Sequence, residues 1–202
     1  YIGLEQYFQL EGLAYRLVPF KVRSPDGQTG YVNTDIMYEN LMTKYQYGGM
    51  EDPTVYMDEN NRRMCMNLRN NFARLAESLY REGKKDKAVE VLDKSIELMP
   101  NENIPYNFFI LPTVEAYYKM GEFEKANAIV EVLFTMYSQE CSYYFDLPDT
   151  YFNPVKNEAQ QSISVLYRLS QLTNDIYSQP ELGTKIKAEF DRLQPIFTSR
   201  VQ

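Results

Sequence analysis

This 202-residue chain contains no histidine, so candidates for acid–base or metal chemistry are sought first among its carboxylates, tyrosines and two thiols. Without histidine the commonest general base and the commonest nitrogen ligand for metals are both missing. Acid–base work would fall to carboxylate pairs such as Asp58/Glu59 and Asp146/Asp149. Two carboxyl groups about 5–10 Å apart can hydrolyse a glycosidic bond. A free-standing carbohydrate-active enzyme using Asp/Glu and Tyr residues is therefore one reading. Neither pair sits in a recognisable catalytic framework, so no catalytic residue is assigned. Cys65 and Cys141 cannot form a zinc site without further ligands, and neither a metal nor a cofactor is expected. The two thiols fall on helices separated by at least one neighbour, beyond the reach of a disulfide, and are expected to be free and mostly buried.

Side chains suited to holding a partner are more numerous. Asn70, Arg74, Glu77 and Arg81 share one helical face, and Leu111, Glu115, Tyr118 and Lys119 share another. The stretch CSYYFDLPDTYFNP (141–154) offers Tyr143, Tyr144 and Tyr151, with Phe145 and Phe152, as a contact loop. Its alternative is an irregular connection pinned by aromatics beside the neighbouring helices. Tyr31, Tyr38 and Tyr45 recur every seven residues. They read first as a packing face whose hydroxyls reach water, and second as an aromatic platform for a sugar or peptide.

Two stretches must position these groups. In FARLAESLYREGKKDKAVEVLDKSIELMP (72–100), Phe72, Leu75, Ala76 and Leu79 share one helical face. Gly83 stops that helix, and a second follows with Ala88, Leu92, Ile96 and Leu98 before Pro100. The second stretch (110–137) repeats the plan with Tyr117, Gly121, Phe123, Ala126, Val130 and Leu133. This helix–turn–helix pattern is that of a tetratricopeptide repeat. Gly83 and Gly121 are 38 residues apart, against about 34 in the standard repeat, and the extra residues are expected in the loop 101–107. First helices of successive pairs line a concave groove, which gathers the two polar faces. Tetratricopeptide domains that grip a chain-terminal carboxylate have Asn where Glu77 and Glu115 stand here. A mixed polar groove for another peptide is expected instead.

The remaining elements frame the repeats. Residues 10–23 read as an edge strand demoted by Pro19, Ser24-Pro25-Asp26-Gly27 as a turn, and 28–32 as a short returning strand. Asn33 or Thr34 caps a helix over 34–46 that Gly48-Gly49 ends, and 51–56 is a Pro-containing linker. A third helical pair carries Val165, Leu169, Leu172 and Ile176, then Leu182, Ile186, Phe190 and Leu193, until Pro195 stops or kinks it. The expected fold is mostly α: a tetratricopeptide-like stack of antiparallel helix pairs with a small N-terminal β-hairpin or extended segment. Residues 1–58 form the N-terminal segment plus one helix, and 59–202 the repeats with capping helices.

A net charge of −7 and a pI near 4.8 offer no phosphate-tracking basic face, so no nucleic-acid partner is expected. No apolar run approaches the roughly 20 residues of a membrane span. The chain starts at Tyr1 without Met and reads as a piece of a longer protein.

Four stretches form an ordered set: YFQLEGLAYRLVP (7–19), GYVNTDIMYENLMTKYQYGG (30–49), VYMDE (55–59) and LRNNFARLAESL (68–79). Together they resemble the C-terminal region of bacterial multi-spanning membrane proteins related to GT-C glycosyltransferases and to protein O-mannosyltransferase-like proteins. The resemblance spans essentially the whole chain, and none of its motifs is catalytic. It implies a tetratricopeptide-like soluble region on the periplasmic side of the inner membrane, with any active site in the membrane part. The expected job is non-catalytic: to hold or present an acceptor protein, or to dock on the transferase. A general peptide-binding repeat protein is the further alternative.

Overall fold

The computed structural model describes residues 3–201. The chain is mostly helical, with a small three-stranded sheet at its N-terminal end, and divides into two compact units, Tyr1–Gly121 and Glu122–Gln202. Among the described residues no helix is long and apolar enough to cross a membrane.

In the first unit, strand β1 (Phe8–Leu10) lies between β2 (Tyr15–Leu17) and β3 (Tyr31–Val32). It pairs antiparallel with β2, Gln9 opposite Arg16, and parallel with β3, Leu10 opposite Val32. This corrects the expected hairpin between 10–23 and 28–32. The long strand is broken at Gly12, whose φ of +143° suits only glycine and whose bare Cα lies against the Tyr45 ring. The hairpin therefore closes over residues 11–14, and β3 returns to the opposite side of β1.

Asn33 caps α1 (Thr34–Glu39), its side chain accepting from the Ile36 amide at 3.1 Å. A π-helical turn, Asn40–Lys44, continues it. Met37 and Leu41 face the core. Helix α2 (Glu59–Arg81) starts at Asp58, which accepts from the Asn61 amide at 2.7 Å. Phe72, Leu75, Ala76 and Leu79 are buried on its inner face as the periodicity predicts. It stops because Gly83, at φ +78°, lets two bonds form, each 2.9 Å: Gly83 N–H to the Tyr80 carbonyl and Lys84 N–H to the Leu79 carbonyl. Helix α3 (Lys85–Leu98) then packs back along α2. Its inward stripe is Ala88, Val91, Leu92, Ser95 and Leu98, so Ile96 sits to one side, half-buried.

The loop after α3 is organised by one fully buried side chain, Arg69 of α2. Its guanidinium donates to the Met99 carbonyl at 2.7 Å and to the carbonyls of Ile104 and Pro105, and it lies 4.9 Å from the centre of the Tyr106 ring. Burial pushes its pKa down to about 10, which leaves it charged at neutral pH. Helix α4 (Leu111–Lys119) follows with Pro112 in its first turn and packs on α2.

In the second unit, α5 (Phe123–Asp146) packs against α7 (Lys156–Ser170) and α8 (Pro180–Val201), which also pack on each other. Helix α5 continues through residues 141–146, correcting the irregular stretch expected there. Only Leu147-Pro148 breaks the chain before the short α6 (Asp149–Phe152). A π-helical turn, Gln171–Ile176, extends α7, and its larger number of residues per turn leaves Ile176 exposed rather than on the buried stripe. Leu182, Ile186, Phe190 and Leu193 of α8 are buried as expected. Pro195 does not stop α8. The carbonyl it leaves unpaired belongs to Asp191, an exposed residue at which water can serve as donor.

A methionine-lined groove as the candidate functional site

A cavity of about 620 Å³ opens beside the N-terminal half of α2. Its floor is Met50, Met57, Cys65 and Leu68, all buried, and its exposed rim includes Leu13, Gln46, Asn61, Met64 and Asn67. The helix presents Asn61, Met64, Cys65, Leu68 and Asn71 to this side because they recur at three- and four-residue steps. The opposing wall is the loop after α1, folded by its own polar groups. The Tyr47 hydroxyl donates to the Leu41 carbonyl at 2.7 Å, and Asn103 reaches over to donate to the Met50 carbonyl at 2.8 Å and the Asp52 carbonyl at 3.1 Å. Asp52 in turn accepts from the Thr54 amide at 2.8 Å. Asn71 ties the hairpin turn to α2 by donating to the Gly12 carbonyl at 3.2 Å.

No lining residue carries a formal charge, in a chain whose net charge is −7. The titratable groups stay neutral: burial pushes the Tyr47 hydroxyl up to about 12, and burial raises the Cys65 thiol against the opposing charge of Arg69. The Cys65 Sγ lies 3.4 Å from the Met50 Sδ. An apolar floor of unbranched, adaptable thioethers beside carboxamide groups suits a ligand that brings apolar side chains and backbone amides together.

No family model, curated protein or solved structure matches the chain.

The residues singled out from the sequence lie elsewhere. Arg74 is buried: its Nε meets Asp26 Oδ2 at 2.9 Å, while its other nitrogens donate to the Thr29 carbonyl at 3.1 Å and the Gly30 carbonyl at 2.8 Å. Tyr118 is also buried, which raises its pKa. Asn70, Leu111 and Glu115 are half-buried, and Arg81 is exposed. Lys119 pairs with Glu77, so α2 and α4 do bring part of the expected polar face together. In the second unit Tyr143 and Tyr151 are exposed on α5 and α6, Tyr144 is half-buried, and Phe145 and Phe152 are buried. Tyr38 donates to Glu90 at 2.6 Å, as a packing face with a polar tip would. Asp58 is a helix cap, and Asp149 accepts from Arg200 at 2.9 Å. Cys65 and Cys141 are buried thiols, one in each unit.

The groove itself escaped the sequence reading. Its signal was present: Met50, Met57 and Met64 recur every seven residues. The Pro-containing linker between the first two concealed that they converge.

Proposed function

We propose that this chain is a non-catalytic protein-interaction domain that holds an extended segment of a partner polypeptide. The uncharged lining of the groove carries this reading. Methionines at its floor and rim can adapt to varied apolar side chains. The amides of Gln46, Asn61 and Asn67 at the rim can pair with the main chain of an extended segment. The resemblance supplies the setting: the periplasmic C-terminal part of a membrane-embedded glycosyltransferase, whose partner is an acceptor protein or the transferase's own membrane domain. The helices are read as tetratricopeptide-like repeats. That reading is supported by α3 folding back on α2, by α4 packing on α2, and by positive-φ glycines just beyond α2 and α4.

Selection of binders from a displayed random-peptide library tests the proposal. Apolar-rich peptides are expected, and Met64→Asp, an exposed rim position, should weaken them. Charge beside an apolar contact costs roughly 2 kcal/mol, or about thirtyfold in Kd. Peptides indifferent to Met64→Asp and Asn67→Asp would refute the groove as the site. Turnover of sugar substrates by the isolated chain would refute the non-catalytic reading.

A further inference from the structure

We propose that the inner end of the groove is a monovalent-copper site: the Cys65 thiolate and the Met50 thioether hold Cu(I), and Met57 or Met64 supplies a third sulfur. The chain has nine methionines and two cysteines. Three of those methionines and one cysteine line this cavity, which brings four sulfur-bearing side chains to one place. Two of the sulfurs already meet, with Cys65 Sγ 3.4 Å from Met50 Sδ, both residues buried. Met57 is buried in the same floor and Met64 exposed at the mouth. Each is unbranched, with three side-chain torsions through which its sulfur can be repositioned.

Ligand type selects the ion. Thiolate and thioether donors are soft and favour Cu(I), whereas zinc takes several thiolates, imidazoles or carboxylates. Among the described residues no group of three or more His, Cys, Asp or Glu converges on a metal position. Charge selects it again. One thiolate and one Cu(I) sum to zero, matching the uncharged lining, while a divalent ion would leave a net positive charge in apolar surroundings. Binding is a ligand exchange without redox change: the Cys65 S–H proton leaves to solvent, an S–Cu bond replaces it, and copper remains Cu(I). This inference does not rest on the polypeptide reading.

The test is titration of the reduced full chain with Cu(I) under anaerobic conditions against a chromophoric Cu(I) chelator. One equivalent per chain should be withdrawn from the chelator, and X-ray absorption should show a shell of sulfur only. Cys65→Ser should weaken binding by more than the roughly 10–100-fold typical of outer-shell changes. Cys141→Ser, in the other unit, should leave it unchanged. Met50→Leu conserves volume and keeps the test sound if Cys65→Ser misfolds; it should weaken binding about tenfold or more. Failure to withdraw copper, a nitrogen/oxygen shell, or parental affinity in folded Cys65→Ser or Met50→Leu would overturn the site.

Discussion

Replacing Arg74 with leucine should cost the first unit about 3–5 kcal/mol, the range for removing one partner of a buried ion pair. Both side chains of the pair are nearly solvent-free, 4% exposed for Arg74 and 8% for Asp26. Leucine leaves the Asp26 carboxylate without a counter-charge and the Thr29 and Gly30 carbonyls without the donors that met them at 3.1 and 2.8 Å. Arg74→Lys keeps the charge but lacks the fork, so two hydrogen bonds go at about 1 kcal/mol each, roughly 2 in total. Pairing Arg74→Leu with Asp26→Asn should recover at least about 1 kcal/mol as coupling. Burial works to raise the Asp26 carboxyl. Hydrogen bonds from Ser24, the Gln28 amide and Arg74, with the Arg74 charge, outweigh it and hold the group below the usual carboxylate range. The stabilisation is thus present above the unfolded value of about 3.9 and lost as pH falls through the lower folded value. Arg74→Leu should shrink that acid dependence. Urea unfolding followed by circular dichroism, with amide exchange over residues 24–32, measures both effects. An Arg74→Leu variant within about 0.5 kcal/mol of the parent, with unchanged exchange, would refute the clasp. So would lost partner binding at unchanged stability, since Arg74 would then be a contact residue.

Two further outcomes are expected. Gly83→Ala should destabilise by about 1–2 kcal/mol, because its φ of +78° is strained for alanine, although a Cβ there would meet no atom within 4 Å; a neutral result in thermal unfolding would count against the helix stop described. Burial pushes the Cys141 thiol up to about 12, ahead of the smaller effects of Glu140 and Glu189. It should resist maleimide in the native chain at pH 8 and react in urea, and prompt native labelling would contradict its placement. Its stabilising effect is complete below the unfolded thiol value of about 8.5 and is lost as pH rises toward 12.

Helical content and most helix limits were legible because they follow from local periodicity and caps. Phe72, Leu75, Ala76 and Leu79 are inward, Gly83 ends α2, and Leu182, Ile186, Phe190 and Leu193 line α8 as read, whereas Asp58, read as half of a carboxylate pair, is the cap of α2. What failed depends on partners distant in sequence. Arg74 looks like a solvated helix residue until Asp26, 48 positions earlier, folds over it. The pairing of β1 with β3 depends on a break at Gly12 that leaves room for Tyr45. The Cys141–Asp146 aromatics read as loop because Pro148 and Pro154 follow them closely, yet Cys141 and Phe145 are buried at helical spacing. The groove was illegible for the same reason, since its walls come from a hairpin turn, a linker and a helix.

Arg69 has a consequence for how this chain can change over evolutionary time. Connections between helices ordinarily accept insertions and deletions, because few bonds depend on their length. The connection after α3 contributes three carbonyls, those of Met99, Ile104 and Pro105, to one guanidinium that water cannot reach. Adding or removing a residue there would strand a buried cation, so the loop's length is inherited together with the arginine. In a set of relatives the two should be kept or lost as one, and a longer loop beside a retained Arg69 would break that link. A segment that looks like the most dispensable part of the first unit is thereby as length-restricted as its core.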